Sequence, residues 1–216
     1  MYILGINICK DYPFIRFGKN HVESGNDVNV KRKYGNRGNL LYVRGRNNVI
    51  MSRGKVQTSN IRVIGNRNTI LIESNSKILS SSFVVIGDCC SIVVRESATC
   101  GKGCWFVVMG ENKHINIGRD VMIADDVDLW ASDSHAIYDV GHGGEILNPS
   151  GNIDIGNHVW IGKKTVVLKN VNIGDNAVVG MASVVTKDVP SGSIIVGNPA
   201  RVVKKDINWD RTHITI

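Results

Sequence analysis

The chain has 216 residues, and its 54 Ile and Val against only 8 Leu put β-branched strand formers far ahead of the main apolar helix former. That balance excludes a helical bundle and an ordinary α/β wind, while the length suffices to bury a core without disulfides or structural metals. Formal net charge is +7, but residues 1–67 carry 13 Lys/Arg against 3 acids and residues 68–216 carry 13 against 16. The amino-terminal part is therefore expected to face an anionic partner, with nucleic acid and acidic polysaccharide both open on charge alone.

The opening segment, MYILGINICKDYPF, has no basic n-region, long apolar stretch or small-residue cleavage site, and no apolar run approaches the ~20 residues of a membrane span. The expectation is a cytoplasmic protein without integral membrane contact. Its five cysteines are an odd number, and Cys100 and Cys104 lack a matching His pair, so buried thiols are expected and no metal.

Residues 1–110 read as looser, basic coils in which a glycine precedes an apolar β-run, at Gly25, Gly35, Gly45, Gly65, Gly87 and Gly110. The last three steps, 20, 22 and 23 residues, are about one coil each. Residues 111–190 are regular. Stepping by six from Ile155 meets Ile161, Val167, Ile173, Val179 and Val185, mostly with glycine next and a small or β-branched residue four later: Val159, Thr165, Val171, Ala177, Ser183, Val189. A flat strand and a corner use six residues, and three such units close a triangular coil of about 18 with the Ile/Val column inside. The glycines are expected to relieve strain at the turns. A shorter run, Ile117, Ile123 and Leu129, comes before it.

The count fails between Leu129 and Ile155, and residues 132–152 read as a loop thrown out of the scaffold. No linker divides the halves, so one continuous all-β solenoid over 1–216 is expected, with residues 191–216 as its tail.

Six histidines are available as proton acceptors at neutral pH. His135 sits where the hexad count breaks; continuing that count from Leu129 would turn it inward, so an active role requires a register already shifted. Asp133 shares its face of an extended strand and suits either the imidazole or loop amides. His142 and His158 are alternatives, the latter in a regular hexad and read as a surface residue. Asp125, Asp126 and Asp128 read as a solvated corner. Trp160 points outward, where a large aromatic needs a partner: a ligand, a second subunit, or both. Lys169 and Lys187, 18 apart, stack on one corner, and Gly162 and Gly180 stack likewise and leave backbone open. Each lysine also fits a solvated face.

The run from Ile153 to Lys204, IDIGNHVWIGKKTVVLKNVNIGDNAVVGMASVVTKDVPSGSIIVGNPARVVKK, resembles the hexapeptide-repeat acyltransferases. The S-D-S-H-A-I-Y-D loop and basic coils look most like the capsule and surface-polysaccharide O-acetyltransferases, including those acting on polysialic acid. The resemblance implies a left-handed parallel β-helix, a homotrimer, acetyl-CoA as acyl donor and a polysaccharide or oligosaccharide acceptor rather than nucleic acid. It further implies His135 as general base and Trp160 lining the site. Coenzyme contacts fall on Lys163, Met181, Thr186, Lys187, Arg201 and Lys204, with Gly180 beside them. Met181 stands where the family has a small residue, so a backbone contact is expected there. An N-acetyltransferase of a nucleotide-linked amino sugar is the alternative. A zinc enzyme on the same scaffold would need an H-x4-H pair that the sequence lacks, and a catalytically silent solenoid would be indifferent to loss of His135.

Overall fold

In the computed structural model, residues 2–3, 6–7, 21–22, 25–30, 39–141 and 143–214 are described. Gly35 and His142 lie outside the described residues. The chain forms an all-β, left-handed parallel β-helix, and among the described residues no helix occurs.

Three walls make the prism. One stacks Leu40–Arg44, Asn60–Ile64, Ser82–Asp88, Trp105–Glu111, Asp128–Trp130, Val166–Leu168 and Val184–Val185, and is called here the Val167 wall. A second holds Val49–Ser52, Thr69–Ile72, Ser91–Val94, His114–Ile117, Ile153–Ile155 and Val171–Ile173, the Ile173 wall. The third holds Lys55–Gln57, Lys77–Leu79, Thr99–Cys100, Met122–Ile123, Trp160–Ile161, Val178–Val179 and Ile194–Gly197, the Trp160 wall. The last strand, Ala200–Lys204, turns back and pairs antiparallel with Ile194–Gly197.

The registers explain the two halves. Leu40 pairs with Asn60, Asn60 with Ser82, Ser82 with Trp105 and Trp105 with Asp128, steps of 20, 22, 23 and 23 residues. Gly87 pairs with Gly110, and a Cβ on Gly45 or Gly65 would lie within 2.0 Å of the carbonyl oxygen of the glycine one coil later, so these glycines stack as their spacing predicted. From Asp128 the next partner is Val166, 38 residues on, and from Val166 it is Val184, a step of 18. The inserted loop is thus expelled whole, and the walls resume in register around it.

The period of six sets what is buried. Ile155, Ile161, Val167, Ile173, Val179 and Val185 are each at most 4 % exposed. Val159, Thr165, Val171, Ala177, Ser183 and Val189 complete the corners of the interior. The glycines work differently from expectation. The left-handed corner conformation falls on non-glycine residues three after the first five of these Ile/Val, namely His158, Lys164, Asn170, Asn176 and Ala182, at φ between 54° and 60°. Gly156, Gly162 and Gly174 are instead where the next coil passes too close for a side chain. A Cβ on Gly162 would lie 2.7 Å from the Met181 nitrogen. Gly162 is accordingly buried and does not offer open backbone; Gly180 is half-buried.

Of the described cysteines, Cys90, Cys100 and Cys104 are buried, and burial pushes the Cys100 thiol well up.

Candidate active site

His135 leaves the Val167 wall just after Asp128–Trp130, at the corner leading to the Ile173 wall. Ala131 and Ser132 remain buried, Ser134 takes φ 66°, and the chain turns out of register there. The imidazole is therefore exposed rather than turned inward. It lines a cleft of about 220 Å³ with Ser132, Ser134, Ala136, Ile146, Asn148, Pro149 and Ser150. That is smaller than the 300–1,000 Å³ usual for a small-molecule site.

The loop is held by a polar knot. Asn148 donates from Nδ2 to the His135 carbonyl and to Asp133 Oδ2, both at 2.9 Å, and its Oδ1 accepts from Ile137 N–H at 2.6 Å. Lys169 Nζ donates to Asp133 Oδ2 at 2.5 Å and to the Asn148 carbonyl at 3.0 Å. Partial burial would raise the Asp133 pKa, but hydrogen bonds from Lys169 and Asn148 and the lysine charge hold it below the usual carboxylate range. Asp133 touches His135 only through its backbone carbonyl, which accepts from His135 N–H at 2.8 Å. Its carboxylate accepts instead from the Asn148 side chain and Lys169. Asn148 was missed in the sequence, and its one signal there is the turn-forming Asn-Pro pair.

Lys169 is consequently committed to the loop and is not a free cation in a row. Lys187 lies one coil beyond it on the same corner and shares a cleft at the carboxy-terminal end of the prism with Asp188, Ala200 and Arg201. Thr186, Lys187, Arg201 and Lys204 are exposed, and the described residues give none of these cations an acidic partner. Lys163 and Met181 are exposed on the corner between the Trp160 and Val167 walls, beside Gly180, and Lys163 Nζ lies 3.6 Å from Asp126. The predicted coenzyme contacts thus fall on two corners and the terminal hairpin.

Trp160 is outward and 40 % exposed, in register with Met122 and Val178. Its wall is the one opposite the corner that carries His135, so the two side chains stand on opposite sides of one prism. The aspartate cluster is not a uniform solvated corner. Asp125 accepts from Lys102 N–H at 2.8 Å, and Asp128 sits on the wall between Trp105 and Val166. Burial first, and Asp126 second, push the Asp128 pKa up to about 6. His158 is not a plain surface residue either. It is half-buried, with Nδ1 2.7 Å from Asp120 Oδ2 and its ring stacked on Trp209.

Comparison with known proteins matches residues 152–187 to the bacterial transferase hexapeptide family (six repeats). A polysialic acid O-acetyltransferase of Neisseria meningitidis is 33 % identical over 146 residues, 67 % of this chain and 66 % of that protein. One from Escherichia coli O1:K1 / APEC is 35 % identical over 100 residues, 46 % of this chain and 31 % of that protein. The matches thus span less than two thirds of either curated relative. Among solved structures, the polysialic acid O-acetyltransferase OatWY aligns over 91 % of this chain and 89 % of its own, at 30 % identity and TM-score 0.75. The polySia-specific acetyltransferase NeuO aligns over 81 % of this chain and 90 % of its own, at 29 % identity and TM-score 0.68. The chain belongs to the hexapeptide-repeat acetyltransferases and, within them, resembles the polysialic acid O-acetyltransferases.

Proposed function

We propose that this chain is an O-acetyltransferase that moves the acetyl group of acetyl-CoA onto a sugar hydroxyl of an acidic bacterial surface polysaccharide, such as polysialic acid. The observation that carries the reading is an exposed imidazole, clamped at a cleft mouth, in a chain that shares 30 % of its aligned residues with OatWY across nearly its whole length. Cytoplasmic location, where the donor is available, is part of the proposal, as is a homotrimer. Because His135 and Trp160 occupy opposite sides of one prism, a site that uses both must lie between two chains.

In this mechanism His135 takes the proton of the acceptor hydroxyl as its oxygen attacks the donor's thioester carbonyl; the tetrahedral adduct then collapses, the C–S bond breaks, and the departing coenzyme A sulfur takes the proton back from His135. Asp133, Asn148 and Lys169 hold the loop that presents His135. Trp160 of the adjoining chain lines the acyl end of the groove, its indole N–H directed at developing oxyanion charge. Lys163 with the Gly180–Met181 backbone, and Thr186, Lys187, Arg201 and Lys204, hold the phosphates and pantetheine arm. The exposed cations without acidic partners support that assignment.

A thiol-release assay with acidic oligosaccharides tests the reaction. His135→Ala is expected to lose roughly 10²–10⁴-fold in turnover, and turnover on a free sugar nucleotide would point to the N-acetyltransferase instead. Mixing His135→Ala chains with Trp160→Ala chains and reassembling them tests the shared site. Random trimers would restore both residues in about a quarter of interfaces; no recovery would reject it.

A further inference from the structure

The segment after the last strand, KDINWDRTHI, is polar apart from a few side chains, yet Trp209 within it is only 9 % exposed. The reason is a strap that runs down the corner between the Ile173 and Trp160 walls. Ile207 N–H donates to the Gly192 carbonyl at 3.0 Å. Two residues on, the Trp209 ring lies face to face on His158, with centroids 4.3 Å apart, and its Nε1–H donates to the His158 carbonyl at 2.8 Å. Arg211 then reaches earlier coils, donating to Asp120 Oδ1 and Thr99 Oγ1, both at 2.9 Å. The same indole meets Trp160 at a 46° tilt and 6.0 Å between centroids.

The His158 ring carries further information. Nδ1 faces Asp120 Oδ2 at 2.7 Å and Nε2 faces the Trp209 carbonyl oxygen at 2.7 Å. Both partners are acceptors. A neutral imidazole has one N–H, so it would set lone pair against lone pair at one contact; only imidazolium donates to both. Partial burial alone would lower the His158 pKa, but the hydrogen bonds to Asp120 and the Trp209 carbonyl, with the Asp120 charge, lift it above its ordinary value. The charged groups around the ring are Asp120 from the preceding coil and Asp210 and Arg211 from the strap.

We propose that the strap is a positioning element of the acyl-transfer site, in which Trp209 fixes the Trp160 indole and the strap stays latched while His158 carries both ring protons. This rests on the reading that Trp160 lines that site. The Trp160 indole, 40 % exposed, is flanked along its wall by Met122 and Val178, and Trp209 meets it from the corner with ring centroids 6.0 Å apart. Trp209 is accordingly a positioning residue that acts through Trp160.

The test uses the full chain and four variants: Trp160→Ala, Trp209→Ala, Trp209→Phe and His158→Gln. Trp209→Ala is expected to lower kcat about tenfold with acceptor KM nearly unchanged, and Trp209→Phe to recover most of the loss, since misplacing a group by ~1 Å is costly to rate. The far-ultraviolet circular dichroism exciton couplet of the paired indoles should vanish in Trp209→Ala. In the wild type it should fade as pH rises through the His158 titration, a response absent in His158→Gln. If Trp160→Ala inactivates while Trp209→Ala keeps native kcat, the positioning role is wrong. A couplet that ignores pH in the wild type removes the latch. Full activity of Trp160→Ala would overturn the placement of Trp160 in the site, and the positioning role with it.

Discussion

Lys169 and Asp133 are 36 residues apart in sequence and 2.5 Å apart in space. The expelled loop begins at one of them, and the other stands on the corner of the first coil after the walls resume, so the pair closes the base of the His135 loop. Asp133→Asn or Lys169→Met is expected to cut turnover about tenfold through loosened geometry, while Tm moves little. An ion pair this exposed contributes only ~0.2–1 kcal/mol. The Asp133 pKa is depressed in the folded state, so the pair's stabilisation is present above the unfolded value and is lost as pH falls through the folded one. Turnover and melting curves for both variants check this.

Asp128 predicts the opposite slope. Its folded pKa of about 6 lies above the ordinary carboxylate value, so the folded state binds the extra proton. Stability should therefore be greatest below the unfolded pKa and decline as pH rises towards and through about 6. Asp128→Asn should raise Tm by about 2–4 °C at pH 7.5, what ~1 kcal/mol achieves in a chain of this length. It should also flatten the wild-type fall across the acid range. Thermal denaturation at a series of pH values reads both effects.

Gly118 tests the packing of coil on coil. An added Cβ would lie 2.3 Å from the Gly156 carbonyl oxygen and 2.8 Å from the Asn157 nitrogen, and backbone cannot step aside as a flexible side chain can. Gly118→Ala is expected to destabilise by ~1–3 kcal/mol, read as a fall in urea midpoint. Gly143→Ala, with nothing within 4 Å, should cost less although its φ is +76°.

The basic amino-terminal coils give a prediction about the acceptor. Lys55 and Lys77 are in register on the Trp160 wall, beside a cleft lined by Arg53, Gly54 and residues 74–77. Lys77, Thr99, Met122 and Trp160 follow one another in register, which sets Lys77 three coils, ~14 Å, from Trp160. Turnover on a polyanionic acceptor should fall steeply with added salt. Lys55→Glu with Lys77→Glu should raise acceptor KM and flatten that dependence. A salt response that is flat in the wild type would count against steering by these coils.

The interior of the prism could be read from sequence because every coil repeats one local problem: an apolar residue in, a small one at the corner, a glycine where coils crowd. The stacked Gly45, Gly65, Gly87 and Gly110 show that this held even for longer coils, whose corners absorb extra residues. The break at Ser132 located the loop, but its knot depends on Asn148 and Lys169, which meet Asp133 only after 15 and 36 residues of intervening chain. His158 was misjudged for the same reason. Its partners, Asp120 and Trp209, are 38 and 51 residues away, and no periodicity links them. The one hint was a tryptophan in a polar tail, a side chain too large to be left in water without a host. The glycine rationale erred because corner strain and coil-to-coil clearance both favour glycine, and spacing alone does not separate them.

The reversal of direction at Ala200–Lys204 ends the parallel ladder of the Trp160 wall. A parallel stack has a free edge at each end, able to accept another coil, from its own chain or from a neighbour. A closing strand laid against the grain spoils that template on one wall, so the prism stops instead of seeding a fibre.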